Sequence, residues 1–290
     1  NKETNKQHNR CKYFASIGQR VRFQRCRTSS IIVVLLSAVI ITCNEQDNIA
    51  RCLNALQSVA DDIVIVDSLS QDDTCKIASS FDKVRVFSQK WLGYTEQKNY
   101  ANSLAKYDTI LSVDADEVIS EELAESIKQL KAKDDNPLQT YELSRLTNYC
   151  GHWIKHCGWY PDRKIRVFNR KTVKWQGEFV HETLSIPENA KIIRLKGDLL
   201  HYSYKNISDH IARIDKYSSL SAQEAHKKGR KASFAKILLR PAWKFVRDYF
   251  FKAGIADGYA GFQICTLSAI YTFWKYAKLR ELNKSDKSTF

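Results

Sequence analysis

The chain has 290 residues, a net charge of +14, 43% hydrophobic residues and eight cysteines. Its apolar fraction excludes a disordered polyelectrolyte and its length excludes a small disulfide-stapled scaffold, so a packed core with reduced thiols is expected. The charge is uneven: residues 1–30 hold eight Lys/Arg against one Glu, and residues 201–290 hold seventeen Lys/Arg against seven Asp/Glu.

Residues 1–32 are polar, basic and aperiodic, as in a disordered or foreign N-terminal extension. The apolar run that follows resembles a signal peptide. It leads straight into Cys43-Asn44-Glu45 with no small-residue cleavage site, so a buried first strand explains it better. Val33–Thr42 is a continuous run rich in β-branched residues, as expected of a central parallel strand covered on both faces. Asn44 is placed to cap a helix whose Ile49, Cys52, Leu53, Leu56 and Val59 form one apolar stripe. Strands over Ile63–Val66, Val84–Phe87 and Thr109–Val113 then alternate with helices from Asp72 or Asp73 to Phe81, from Thr95 to Lys106 and from Ser120 to Lys131. Four strand–helix units in succession imply a parallel sheet with right-handed crossovers.

After Asp134-Asp135-Asn136-Pro137 the pattern shortens. Thr140–Leu146, Lys164–Phe168, Thr172–Trp175, Phe179–Leu184, Ile192–Leu195 and Leu199–Tyr204 read as mixed or antiparallel strands. From Ser208 the chain turns helical and basic, with breaks expected at Pro241 and at Gly254 with Asp257-Gly258. The boundaries expected are 1–32 for the extension, 33–135 and 136–205 for two halves of one domain, and 206–290 for a helical tail. Between Lys227 and Arg247 eight Lys/Arg interleave with Phe234, Ile237, Leu238, Trp243 and Phe245. That mixture suits an interfacial anchor on anionic lipid, or else a helical bundle closing the site.

The fourth strand ends in Asp114-Ala115-Asp116-Glu117. Crowded carboxylates repel, and a hard divalent cation such as Mg2+ or Mn2+ removes that cost. In parallel sheets ligands bind beyond the carboxyl ends of the strands. Thr42, Asn44 and Glu45 follow the first strand and Asp67 the second, so these ends converge with Asp114 and Asp116 on one site. No Gly-x-Gly-x-x-Gly and no P-loop pattern occurs. Cys150-Gly-His152 with His156-Cys157 matches no common structural-zinc spacing.

Ile41-Thr42-Cys43-Asn44-Glu45, Val66-Asp67-Ser68-Leu69-Ser70-Gln71-Asp72-Asp73-Thr74, Gln97-Lys98-Asn99-Tyr100-Ala101 and Asp114-Ala115-Asp116-Glu117 together resemble glycosyltransferase family 2. One departure is Leu69, where that family commonly has Gly. Gly158–Phe168, Gly177–Glu182, His201–Tyr204, Arg240-Pro241 and Gly258–Gly261 are similar to the lipopolysaccharide-core β-glucosyltransferase branch. The resemblance covers about residues 37–280. It implies an α/β fold of the GT-A (Rossmann-like) type: a mostly parallel sheet with helices on both faces, a mixed-strand acceptor half and a basic helical tail.

It also implies inverting transfer of a hexose, glucose in this branch, from a UDP-sugar to a lipopolysaccharide core or other glycolipid. Asp116, with Asp114 nearby, would hold the cation on the leaving diphosphate. Asp67 would meet the base, Glu45 the base or ribose, and Lys98 the base or diphosphate. Lys98 could equally lie on a solvated helix face. Inversion needs a carboxylate base. Glu182 is the first candidate, with His181 orienting it or joining the metal, and Asp162 is the second. Arg166 would steady phosphate or an anionic acceptor, or else point outward from its strand. Trp153, Trp159, Tyr160 and Trp175 would stack on sugar or pack on the sheet.

The expected place is the cytoplasmic face of the cytoplasmic membrane, bound peripherally to an anionic surface. Nucleic acid is not expected as a partner, since the acidic strand ends would repel phosphate. The alternative is a non-catalytic membrane-surface scaffold that retains the fold.

Overall fold

The computed structural model describes residues 34–132, 136–177 and 182–285. The expected extension over 1–32 lies outside them, as does His181. Contacts gather the chain into Asn1–Ile31 and Ile32–Phe290, and only the second contains described residues.

The first half follows the apolar pattern. Strand β1 (Leu36–Thr42) pairs in parallel with β2 (Asp62–Asp67) and β4 (Thr109–Ser112), and β2 pairs in parallel with β3 (Val84–Ser88). Every residue of β2 and β4 is buried, as continuous β-branched and aliphatic runs require. Each fully buried aliphatic side chain contributes about 1.5–3 kcal/mol over an exposed one. Helices α1 (Ile49–Leu56), α2 (Thr74–Ala78) and α4 (Glu121–Lys131) cover one face through Leu53, Ala78 and Ile127. Helix α3 (Tyr94–Ser103) covers the other through Ala101. Ser120 caps α4 by accepting from the Leu123 N–H at 3.2 Å.

Beyond β4 the sheet becomes mixed. Its remaining strands are β5 (Glu117–Ile119), β6 (Gln139–Tyr149), β7 (His152–Ile154), β8 (Asp162–Asn169) and β11 (Lys191–Tyr204). The order is β3-β2-β1-β4-β8-β6-β11-β5, with β7 paired to β6. A hairpin of β9 (Lys174–Gln176) and β10 (Thr183–Ser185) stands apart. It adds Trp175 and Leu184 to the α3 side of the core.

The structure departs from the sequence expectation at four places. Asn44 does not cap α1: it is left-handed at φ 56° and its side-chain oxygen accepts from the Gln71 N–H at 2.8 Å. Asn is one of the few residues that tolerate that backbone, so it ties the ends of β1 and β2 together instead. The two strands expected at Ile192–Leu195 and Leu199–Tyr204 are one, β11, irregular between Arg194 and Asp198. Gly197 at φ +86° makes the irregularity possible, since a Cβ there would lie 2.2 Å from the Leu123 nitrogen. Strands β5 and β7 were not foreseen, because three residues carry no readable period. Pro241 does not break its helix.

The tail comprises α5 (Ile207–Lys227), α6 (Phe234–Val246), a π turn over Arg247–Phe251, a 3-10 turn over Gly254–Asp257 and α7 (Gly258–Ser285). Pro241 lies inside α6, where it removes one backbone donor while the helix continues. The tail packs on the mixed half: Ala260, Ile264 and Cys265 meet Tyr149, Ile154 and Cys157. The Asp257 carboxylate accepts from the His156 N–H at 2.8 Å and the Lys155 N–H at 3.3 Å. Among the described residues no helix is long and apolar enough to cross a membrane.

Candidate active site

The ends of β1 and β2 form one polar turn. The buried Asp67 carboxylate accepts from the Ser70 N–H at 2.8 Å and from the Ser70 hydroxyl. The Asn44 N–H donates to Ser70 Oγ at 2.8 Å. Leu69 sits between them at φ +62° with 55% of its surface exposed. A left-handed residue bearing a Cβ costs about 1–2 kcal/mol, which accounts for Gly being common there in the resembled family. Thr42 is buried, and among the described residues its hydroxyl has no partner. Glu45 accepts from the Asn48 amide at 2.7 Å. Burial raises its pKa first; the Asn48 bond works against this, and the charge of Asp116 adds to the rise.

Behind this turn runs a chain of alternating charges. Glu182 Oε1 lies 3.2 Å from Lys98 Nζ, which lies 3.6 Å from Asp114 Oδ1. Asp114 Oδ2 accepts from Arg166 at 2.9 Å, and Arg166 donates to Glu117 at 2.7 Å. Arg145 then bridges Glu117 at 3.4 Å to Asp162 at 2.6 Å, and Lys164 stands 3.1 Å from Asp162. Four acids alternate with four bases, so the row is neutral as a whole. Its middle is dry: Glu117 is 0% and Arg166 4% exposed. Burial pushes the Asp114 carboxyl up, but Arg166 and Lys98 outweigh it and hold the pKa well below the usual carboxylate range. Burial prevails at Glu117, whose pKa is raised despite Arg166.

This placement decides several alternatives. Lys98 is 6% exposed, with its ammonium 4.5 Å from the centre of the Trp175 ring, so it is not on a solvated face. Arg166 does not point outward from its strand, and its guanidinium is engaged by Asp114 and Glu117. Glu182 and Asp162 stand at opposite parts of the row. Asp162 is gripped by Arg145 through two bonds, at 2.9 and 2.6 Å. Trp175 is buried, and Trp159 stacks on Tyr204 with ring centres 5.6 Å apart. The Tyr160 hydroxyl donates to Asp198 at 3.0 Å. Trp153 is 36% exposed, with its ring against Tyr202.

Both Asp114 oxygens face cations, and Asp116 does not share that fate. Its Oδ2 lies 3.2 Å from His201 Nε2, where β11 runs beside β5. The Asp116 carboxylate suits Mg2+ or Mn2+, and the His201 imidazole nitrogen favours Mn2+ over Mg2+, with substrate oxygens and water completing the shell. Among the described residues no three His, Cys, Asp or Glu side chains gather as a closed metal cage. The donor set therefore fits a cation held jointly with a ligand. His201 had no role assigned from sequence, because the pairing of β11 with β5 depends on strands distant in the chain. Glu117 and Arg145 were missed likewise. The signal that was available is their charge within apolar strands, which demands a partner.

Residues 37–179 match Glycosyl transferase family 2. An uncharacterized glycosyltransferase of Rickettsia typhi is 30% identical over 261 residues, which is 87% of this chain and 89% of that protein. A lipopolysaccharide core biosynthesis glycosyltransferase of Rhizobium meliloti, LpsC, is 29% identical over 254 residues, 84% of this chain and 91% of that protein. Among solved structures, a mannosyltransferase of Pyrobaculum calidifontis in complex with GDP-Man and Mn2+ is 14% identical. It covers 84% of this chain and 86% of that one, with a TM-score of 0.47.

Proposed function

The chain belongs to glycosyltransferase family 2, and on that premise we propose that it is an inverting, cation-dependent hexosyltransferase. In this reading it moves glucose from a UDP-sugar to a glycolipid of the lipopolysaccharide-core kind. The observation that carries it is the Asp116–His201 pair at 3.2 Å, set beside the charge row that begins at Glu182. The core-type acceptor is supported by the likeness to LpsC, whose name places that protein in core biosynthesis.

Asp116 and His201 hold the cation in this reading, and Asp114 serves by fixing Lys98 and Arg166. A bound Mg2+ or Mn2+ supplies neutralisation of the charge that grows on the departing diphosphate. Thr42, Asn44, Glu45 and Asp67 receive the nucleoside at the ends of β1 and β2. Glu182 removes the proton from the acceptor hydroxyl as its oxygen bonds to the anomeric carbon and the bond to UDP breaks. Lys98 orients Glu182 across 3.2 Å. The exposed apolar surface of the tail, with Leu239 at 68%, Trp243 at 57% and Phe251 at 73%, attaches the protein peripherally to the cytoplasmic face of the membrane.

The test is release of UDP from UDP-glucose with a glycolipid acceptor in Mn2+. Chelation by EDTA should stop it and added Mn2+ restore it. Asp116→Ala and His201→Ala should each lower the rate by about 100-fold at an unchanged melting temperature. Full rates in both variants would discard the metal assignment. Failure to turn over any nucleotide sugar would favour the scaffold.

A further inference from the structure

Between the loop that opens α3 and the tail helices runs a cleft of about 970 Å3. Small-molecule sites span roughly 300–1,000 Å3, so this one lies at the upper end. Its wall along α5 reaches from His210 to Lys227, about 25 Å at 1.5 Å per residue. One sugar ring needs a fraction of that length. Tyr94 stands in its wall. Burial is the first cause of that hydroxyl's raised pKa, and Tyr217, Glu182 and Asp114 add to it. Tyr94 lies on α3 one turn before Lys98, whose ammonium is 3.2 Å from Glu182, so this end of the cleft lies about one helical turn from the residue that holds the carboxylate assigned as base.

Besides Ser221, Gln223 and Glu224, the last paired with Lys228, two kinds of side chain dominate the lining. Trp91, Tyr217, Leu220 and Tyr271 supply aromatic and aliphatic surface. Arg213 supplies a fixed cation: its guanidinium donates to Ser203 Oγ at 3.0 Å and to the Ser203 carbonyl at 2.8 Å, and lies 4.9 Å from the Tyr204 ring centre. Among the described residues Arg213 forms no ion pair, although the Glu45 carboxylate is near enough to feel its charge, and Lys227 farther along is exposed. Lys244, by contrast, is engaged by Asp248 at 2.5 Å. A guanidinium held in place with no carboxylate paired to it directly is suited to receive an anion.

We propose that this cleft is the acceptor site and that it takes an elongated anionic amphiphile. The chain lies against the aromatic wall, the charged group near the reacting end meets Arg213, and the attacking hydroxyl reaches Glu182. The proposal rests on the glycosyltransferase reading above and narrows its acceptor to a charged, chain-like class. A neutral lipid would have no use for Arg213, and free phosphate would have none for the aromatic wall.

Calorimetric titration with dodecyl phosphate, dodecyl maltoside and inorganic phosphate, below micelle formation, tests it. Dodecyl phosphate should bind about tenfold tighter than either other probe. Arg213→Gln should abolish that preference and leave dodecyl maltoside unchanged, while Leu220→Glu should weaken both amphiphiles. Equal affinity for the two amphiphiles, or a preference that survives Arg213→Gln, overturns the proposal. So does binding that persists in Leu220→Glu and vanishes in Trp243→Ser, which would put the amphiphile on the outer face of α6. Titration of the same wild-type sample with UDP reports on the donor site separately. Absent UDP binding would count against the glycosyltransferase reading and leave the cleft result standing.

Discussion

Lys98 shows how one side chain acquires a role from its surroundings. Its ammonium is buried beside Glu182, Asp114 and the face of Trp175, an environment that compensates the cost of removing a cation from water. Glu182 thereby has a fixed orientation, as the proposed base that must meet one hydroxyl requires. Asp162 has its own clamp in Arg145 and lies across three cations from Glu182. Glu182→Gln, which keeps the shape and removes the basicity, should lower turnover by about 100- to 10,000-fold with UDP affinity retained. Asp162→Asn should alter the melting temperature more than the rate. Stopped transfer in Asp162→Asn with an unaffected Glu182→Gln would move the base to Asp162. At this scale the acidic residues were legible as a group, since charge at apolar strand ends is conspicuous. Their division of labour was not, because it is set by which cation each one faces.

At the scale of elements, long periodic segments were legible and short or composite ones were not. α1 and α4 announce themselves by apolar stripes, β2 by an unbroken β-branched core and β1 by a run rich in β-branched residues. β11 reads as two strands because Lys196-Gly197-Asp198 interrupts its pattern, whereas in the sheet that interruption is an irregularity pressed against α4. Pro241 reads as a stop because the local cost is plain, while the packing that keeps α6 continuous is remote. The junction of tail and sheet makes the same point in its glycines. A Cβ at Gly261 would lie 1.9 Å from the Gly254 carbonyl oxygen, a backbone atom that no rotamer change can move. Gly261→Ala should destabilise the protein by about 1–3 kcal/mol, seen as a lower denaturant midpoint. An unchanged midpoint would mean that α7 can shift without loss.

At the scale of the whole molecule, charge and apolar exposure are segregated. The carboxylates at the strand ends are largely matched by buried Lys and Arg, whereas the tail carries the excess of Lys/Arg together with large exposed side chains at Leu239, Trp243, Phe250 and Phe251. The protein should therefore sediment with vesicles containing anionic lipid, and less so with neutral ones or in high salt, where the electrostatic part is screened. Trp243→Ser combined with Phe251→Ser should release it at any salt concentration. Retention of the double variant on vesicles would assign attachment to another surface. The sequence by itself determined the alternation of strands and helices, the acidic strand ends and the basic tail, because periodicity and charge are local properties of a chain. Only the tertiary structure decided that Asp116 meets His201, that Arg166 is locked between Asp114 and Glu117, and that a cleft runs from Tyr94 along α5. Those are contacts between segments far apart in sequence, and their register is set by packing, of which no single segment holds a record.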